Sequence, residues 1–154
     1  MTDSRPTGIA DNGVYITRAF AAPRELVWRF FLEPTHLARW FAPTGYSAPA
    51  ERIIVEPWVG GHWDLTMVQD ATGTGYPMRG TILELDEPEL LVLELEADSD
   101  FGALESMFLR IRFHDHGDRT RVTLHQGPFD PEAQHATEAG WLESFEKLDR
   151  SLAS

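Results

Sequence analysis

Apolar side chains recur at a helical spacing near the end of the chain. Trp141, Phe145, Leu148 and Leu152 lie at i, i+4, i+7 and i+11, and charged residues occupy most of the positions between them. This spacing places the four apolar side chains on one face of an α-helix. Pro131 suits the first helical position, so we predict one long helix over residues 131–152. Its apolar face requires a surface against which to pack.

Much of the preceding chain alternates between apolar and polar residues with a period of two. Such alternation is typical of β-strands that have one buried and one solvated face. We predict strands over residues 14–20, 52–56, 62–68, 78–85, 91–96, 107–113 and 120–126. Short connections between consecutive strands favour antiparallel neighbours. The sequence therefore predicts an α+β domain in which the C-terminal helix packs on a long antiparallel sheet.

Two prolines define helices after the first strand. Pro23 begins a helix whose apolar stripe includes Val27 and Phe31, and Pro34 ends that helix and begins a shorter one that carries Leu37. Residues 1–12 are rich in Ser, Thr, Gly and Pro, so we predict a flexible leader there. Residues 13–154 are predicted to form a single domain.

Charge and composition narrow the functional classes. The 154-residue chain carries a formal net charge of −12, so its surface should repel phosphate backbones. We therefore expect neither nucleic-acid binding nor attachment to an anionic membrane surface. The sequence contains no apolar run long enough to span a membrane, no signal-peptide pattern and no cysteine. These features favour a cytoplasmic protein.

Several short segments, taken in their order along the chain, resemble the sequence pattern of a known protein family. They are TRAFAAPRELVW at 17–28, EPTHLARWFAP at 33–43, GGHW at 60–63, Gly80 with ELDEPELL at 84–91, TRVTL at 120–124, and the helix that contains Gly140 and Trp141. This ordered set resembles the family of the activator of Hsp90 ATPase homologue 1, within the START-like (Bet v 1-like, helix-grip) superfamily. The resemblance implies a curved antiparallel sheet of about seven strands around the C-terminal helix, two short helices after the first strand, and a cavity between sheet and helix.

The implied cavity gives the aromatic and methionine side chains two alternative roles. They could form an ordinary core, since burying one indole removes about 200 Å² from water, or they could line a ligand site. The superfamily includes carriers of lipids and other hydrophobic ligands, and we predict a small hydrophobic ligand, with Trp40 and Phe41 near a lid. The predicted ligand-binding residues are Trp40, Phe41, Trp63, Leu65, Met67, Met78, Leu109, Glu138, Trp141 and Phe145.

An enzyme of the polyketide cyclase or dehydratase type is the first alternative. Glu138 or His135 would be its general base, because a separation of three residues lets both share one helix face. The sequence has no nucleophile elbow, no HExxH zinc motif and no phosphate-binding loop, so a binding protein is favoured and no catalytic residue is assigned. An Hsp90-associated co-chaperone or a stress-response protein is a further alternative, although we do not expect a chaperone partner.

The segment HDHGD at 114–118 superficially resembles a metal site. A hairpin turn accounts for the same composition, and zinc would need three or four converging ligands. We predict neither a metal nor a cofactor. An exposed sheet edge would permit a homodimer.

Overall fold

The computed structural model describes residues 13–99, 102–103, 107–127 and 131–153. Its elements are β1 (Val14–Phe20), α1 (Arg24–Leu32), α2 (Pro34–Trp40), β2 (Tyr46–Ser47), a short 3-10 helix (Ala50–Arg52), β3 (Ile54–Val55), β4 (Trp63–Gln69), β5 (Gly75–Asp86), β6 (Leu90–Ser99), β7 (Gly102–Ala103), β8 (Met107–His116), β9 (Arg119–Gly127) and α3 (Pro131–Ala153). The predicted leader over residues 1–12 lies outside the described residues. The α+β class is confirmed.

The strands form a curled antiparallel sheet that resembles half of a barrel. Seven strands follow each other in the order β1-β9-β8-β6-β5-β4-β2, while β3 pairs with β4 and β7 pairs with β6. The period of two decides which face is buried. In β8, for example, Met107, Leu109, Ile111 and Phe113 are buried, and the residues between them are partly exposed. The buried faces of the strands together form the concave side of the sheet.

A bulge interrupts this alternation in the centre of the sheet. The register between β5 and β6 shifts between Ile82 and Glu84. Because the bulge adds a residue to one strand, Leu83 and Glu84 are both exposed after the fully buried Ile82, and Leu85 resumes the inward-facing series. Hydrophobic periodicity alone does not reveal such a shift.

Two predicted boundaries need correction. The strand predicted over residues 52–56 is reduced to β3, because the chain before it turns in a 3-10 helix after Pro49. The polar stretch that includes Asp98 and Ser99 reads as a loop in the sequence, yet it is the end of β6. These two residues pair with Ala103 and Gly102 of β7. The pairing satisfies their backbone hydrogen-bonding groups, so the strand continues although its side chains here are polar.

Two tryptophans attach the short helices to the sheet. The indole Nε1 of Trp40, in α2, donates to the carbonyl oxygen of Phe30 at 2.9 Å. The Nε1 of Trp63, in β4, donates to the carbonyl oxygen of Phe31 at 2.9 Å. Both acceptors belong to the last turn of α1, whose carbonyls have no partner within the helix. The end of α1 is thereby fixed to both α2 and β4.

The long C-terminal helix α3 crosses the concave side of the sheet. Phe145 and Leu148 are fully buried, and the ring of Phe145 meets that of Phe20 edge-to-face at 5.4 Å. Arg18 of β1 pairs with Glu146 at 3.3 Å and with Asp149 at 3.6 Å. The predicted helix is confirmed, and it extends one residue beyond the predicted end. Within the described chain, no helix is both long and apolar enough to cross a membrane.

Candidate functional site

Five of the predicted ligand-binding residues form one aromatic cluster between α2, the sheet and α3. Phe41 is central, with its ring centroid 5.7 Å from that of Trp40 and 5.6 Å from those of Trp63 and Trp141. Phe145 lies 5.7 Å from Trp141 and 6.1 Å from Trp40. The three contacts of Phe41 are edge-to-face, which is a favoured aromatic geometry. All five side chains are buried, so the aromatic cluster belongs to the hydrophobic core.

The predicted aliphatic and methionine residues extend this core along the sheet. Leu65 of β4 is paired with Met78 of β5, and Leu109 of β8 is paired with Leu93 of β6. Leu65, Met78 and Leu109 are buried, whereas Met67, two residues further along β4, is only partly buried. The concave face therefore carries a continuous apolar wall, with methionines toward one end of β4 and β5.

A polar pair lies within this apolar interior. The Nε1 of Trp141 donates to Oε1 of Gln126 at 2.7 Å, and the two residues are 7% and 6% exposed. The Nε2 of Gln126 lies 3.5 Å from Sδ of Met107. Neither Gln126 nor Met107 was among the predicted site residues. A signal for Gln126 was present, because it continues the inward-facing series of Val122 and Leu124 in β9 with a polar side chain.

The two residues considered as a general base lie in the first half of α3. Glu138 is partly buried and comes one helical turn before Trp141, while His135 is exposed. The assignment of either residue as a base stays a prediction.

The HDHGD segment ends β8 and forms the turn into β9. Gly117 adopts a left-handed conformation, with φ of 75°, and its backbone N donates to Oδ1 of Asp115 at 2.9 Å. His114 lies within the strand, and its Nε2 is 3.2 Å from Oγ1 of Thr123. Burial lowers the pKa of His114, and the neighbouring Arg121 lowers it further. Among the described residues, no three His, Cys, Asp or Glu side chains converge as a metal site requires.

A curved antiparallel sheet closed over one long helix defines the helix-grip class of START-like domains. Within this class, the chain belongs to the Activator of Hsp90 ATPase homolog 1-like protein family, whose sequence pattern matches residues 21–153. The resemblance seen in the sequence is confirmed. No curated protein matches the sequence.

Several solved structures have a similar fold. An AHSA1 protein from Silicibacter pomeroyi has a TM-score of 0.80 at 22% identity, over 92% of this chain and 97% of that one. A protein from Chromobacterium violaceum has a TM-score of 0.79 at 24% identity, over 90% of this chain and 96% of that one. A protein from Arthrobacter aurescens has a TM-score of 0.80 at 23% identity, over 92% and 86% respectively. At these identities the likeness establishes the fold alone.

Proposed function

We propose that the protein binds a small hydrophobic molecule that carries one hydrogen-bonding group. The ligand would lie between the concave face of the sheet and the first half of α3, beside the aromatic cluster. The observation that carries this proposal is the buried hydrogen bond between Trp141 and Gln126. It places a polar amide among buried apolar side chains, where such a group can orient a ligand. Membership of a START-like family is consistent with this role.

The amide of Gln126 has more hydrogen-bonding capacity than its contacts within the described residues use. A glutamine amide offers two N–H donors and an oxygen with two lone pairs. The indole of Trp141 occupies one lone pair, and the sulfur of Met107, a weak acceptor, receives one N–H. One donor and one lone pair therefore remain for a ligand hydroxyl, amine or carbonyl group.

The methionines on the buried face of the sheet can adapt to a ligand. Met107 contacts the amide, and Met78 and the partly exposed Met67 lie further across the sheet; all three have flexible thioether side chains. A bicyclic aromatic ligand that buries about 200 Å² of apolar surface would gain about 5 kcal/mol at roughly 25 cal/mol per Å². This gain corresponds to a dissociation constant of about 0.2 mM before other terms are added. We therefore expect weak but measurable binding of generic hydrophobic probes.

The test uses the neutral fluorescent probe N-phenyl-α-naphthylamine and two competitors. α-Naphthol carries a hydroxyl group, whereas α-methylnaphthalene has a similar apolar body without one. In the Gln126→Leu variant, we expect the affinity for α-naphthol to fall about two- to tenfold, the equivalent of one hydrogen bond. The affinity for α-methylnaphthalene should change by less than about twofold, since it makes no hydrogen bond to the amide.

Gln69→Leu is the matched control, because Gln69 accepts a hydrogen bond from Thr72 Oγ1 at 3.0 Å in the hairpin after β4. This variant should leave both competitors unaffected. Near-ultraviolet circular dichroism would establish that each variant keeps its tertiary packing. If folded wild-type protein does not enhance the fluorescence of the probe, the proposed function is wrong. Equal losses for both competitors in Gln126→Leu would reject the role of the amide.

A further inference from the structure

A polar pocket lies beside the aromatic cluster, at the junction of α2, β2 and the second half of α3. Its volume is about 460 Å³, and Trp40 and Phe41 form part of its inner wall. The residues that give it its chemical character are Arg39, Tyr46, Ser47, Asp70, Lys147 and Arg150. We call this site the cationic pocket. Gln126 and the first half of α3 do not line it, although it shares Trp40 and Phe41 with the aromatic cluster.

Three positive side chains and one negative side chain line the cationic pocket. Arg39, Lys147, Arg150 and Asp70 line it, so its lining side chains carry an excess of two positive charges on a chain whose net charge is −12. The carboxylate of Asp70 is held by Ser47, whose Oγ donates to Oδ1 at 2.9 Å. We propose that the cationic pocket binds a small organic molecule with a dianionic oxyanion group, of the phosphate monoester type.

The ammonium group of Lys147 is held in place by backbone carbonyls. Its Nζ donates to the carbonyl oxygen of Pro43 at 3.2 Å and to that of Tyr46 at 3.0 Å. An ammonium group has three N–H donors, so one remains for a ligand. Burial lowers the pKa of Lys147, Asp70 acts in the opposite direction, and Arg150 lowers it further. An oxyanion beside Nζ would favour the charged form.

The two guanidinium groups complete the donor set. Nη2 of Arg39 donates to the backbone oxygen of Ser151 at 3.3 Å, which ties α2 to the end of α3. Arg150 forms no hydrogen bond or ion pair with the residues that the structure describes, so its donors are available to a ligand. Guanidinium groups match the geometry of phosphate oxygens, and a phosphate monoester is mainly a dianion at neutral pH. The two negative charges of such a ligand would balance the two excess positive charges of the lining side chains.

The test is calorimetric titration of the full chain with phenyl phosphate and with benzoate at constant ionic strength. Phenyl phosphate is a dianion and benzoate is a monoanion on the same ring. We expect saturable binding of phenyl phosphate and much weaker binding of benzoate. Arg150→Gln should weaken the binding of phenyl phosphate about tenfold, since it removes a charged hydrogen-bond donor. This arginine is exposed, so the variant should fold.

Arg119→Gln is the matched control, because it removes the same charge from an exposed position at the turn between β8 and β9. It should leave the affinity for phenyl phosphate within about twofold of wild type, since distant surface charges are screened. Equal weakening by Arg119→Gln and Arg150→Gln would show diffuse attraction and overturn the proposal, as would the absence of saturable binding. Equal affinity for benzoate would reject the dianion. Displacement of phenyl phosphate by the uncharged α-methylnaphthalene would show that both compounds bind at the hydrophobic site, and it would overturn the proposal of a cationic pocket.

Discussion

Replacing Trp141 with Phe and Gln126 with Leu, singly and together, tests whether the two side chains stabilise the fold as a hydrogen-bonded pair. Trp141→Phe removes the indole N–H but keeps an aromatic ring, and Gln126→Leu removes the amide at similar volume. Each single change leaves the other partner buried without the bond that now measures 2.7 Å. The double variant removes both polar groups, so neither partner is left unsatisfied.

The expected energies follow from this difference. Leaving a buried polar group without its partner costs about 1–3 kcal/mol, and the smaller ring of Trp141→Phe loses roughly 1 kcal/mol more in buried apolar area. The second loss occurs in the single and the double variant alike, so it cancels in a double-mutant cycle. We expect the double variant to lose about 1–2 kcal/mol less free energy of unfolding than the sum of the losses in the two single variants.

Urea unfolding, followed by circular dichroism, measures all four free energies of unfolding. Equal slopes with urea across the four proteins would justify a two-state treatment. Trp63→Phe provides the control cycle with Gln126→Leu, because the indole of Trp63 donates to the backbone oxygen of Phe31 and not to Gln126. That cycle should be additive within about 0.5 kcal/mol. Additivity in the Trp141 cycle as well would refute the reasoning.

Three further predictions concern single residues. Gly140→Ala should stabilise the protein by up to about 1 kcal/mol in urea unfolding, because Gly140 lies within α3 and a Cβ there would have only ordinary contacts, 3.9 Å from Pro43. Gly80→Ala should instead destabilise it by about 1–3 kcal/mol in the same assay, because the Cβ would lie 2.7 Å from the backbone oxygen of Trp63. The lowered pKa of His114 means that the unfolded chain takes up a proton first as the pH falls. Wild-type stability should therefore decrease as the pH falls from neutral through the ordinary histidine pKa, and His114→Gln should reduce this decrease. An unchanged pH profile in this variant would contradict the lowered pKa of His114.

The elements of this fold could be predicted where one face is buried over a sufficient length. The series Trp141, Phe145 and Leu148 defines α3 because all three side chains pack in one core. Strand ends were less predictable. β5 begins at Gly75, three residues before the predicted start, because Gly75 pairs with Val68 of β4 through backbone hydrogen bonds that do not depend on side-chain hydrophobicity.

The candidate site was predictable only in part, for a related reason. Periodicity placed Trp63, Trp141 and Phe145 on the apolar faces of their elements, but it did not orient Phe41, which the structure packs against Trp141 across the core. Periodicity does not show which inward-facing side chains bond to each other. The partnership of Gln126 with Trp141 depends on how β9 and α3 cross, and this crossing has no local signature in either segment.

The cationic pocket was not predictable from sequence, because its charged residues come from segments that are far apart in the chain. Arg39 belongs to α2 and Asp70 follows β4. Lys147 and Arg150 lie on α3, outside the buried face that carries Trp141 and Phe145. In the sequence, the positions of Lys147 and Arg150 are typical of a solvated helix back. These helix positions line a concave site because α2 and β2 pack beside this part of α3.

The acidity of the chain and the cationic pocket act at different distances. At physiological ionic strength, exposed charges are largely screened beyond about 8 Å. Distant carboxylates therefore weaken, but do not cancel, the attraction that Arg39, Lys147 and Arg150 exert on a small anion within the pocket. A nucleic acid would instead bring many phosphates close to a surface with a net charge of −12. The same charge that argues against a phosphate backbone thus leaves room for one small dianion, because the pocket brings Arg39, Lys147 and Arg150 together in one concave site.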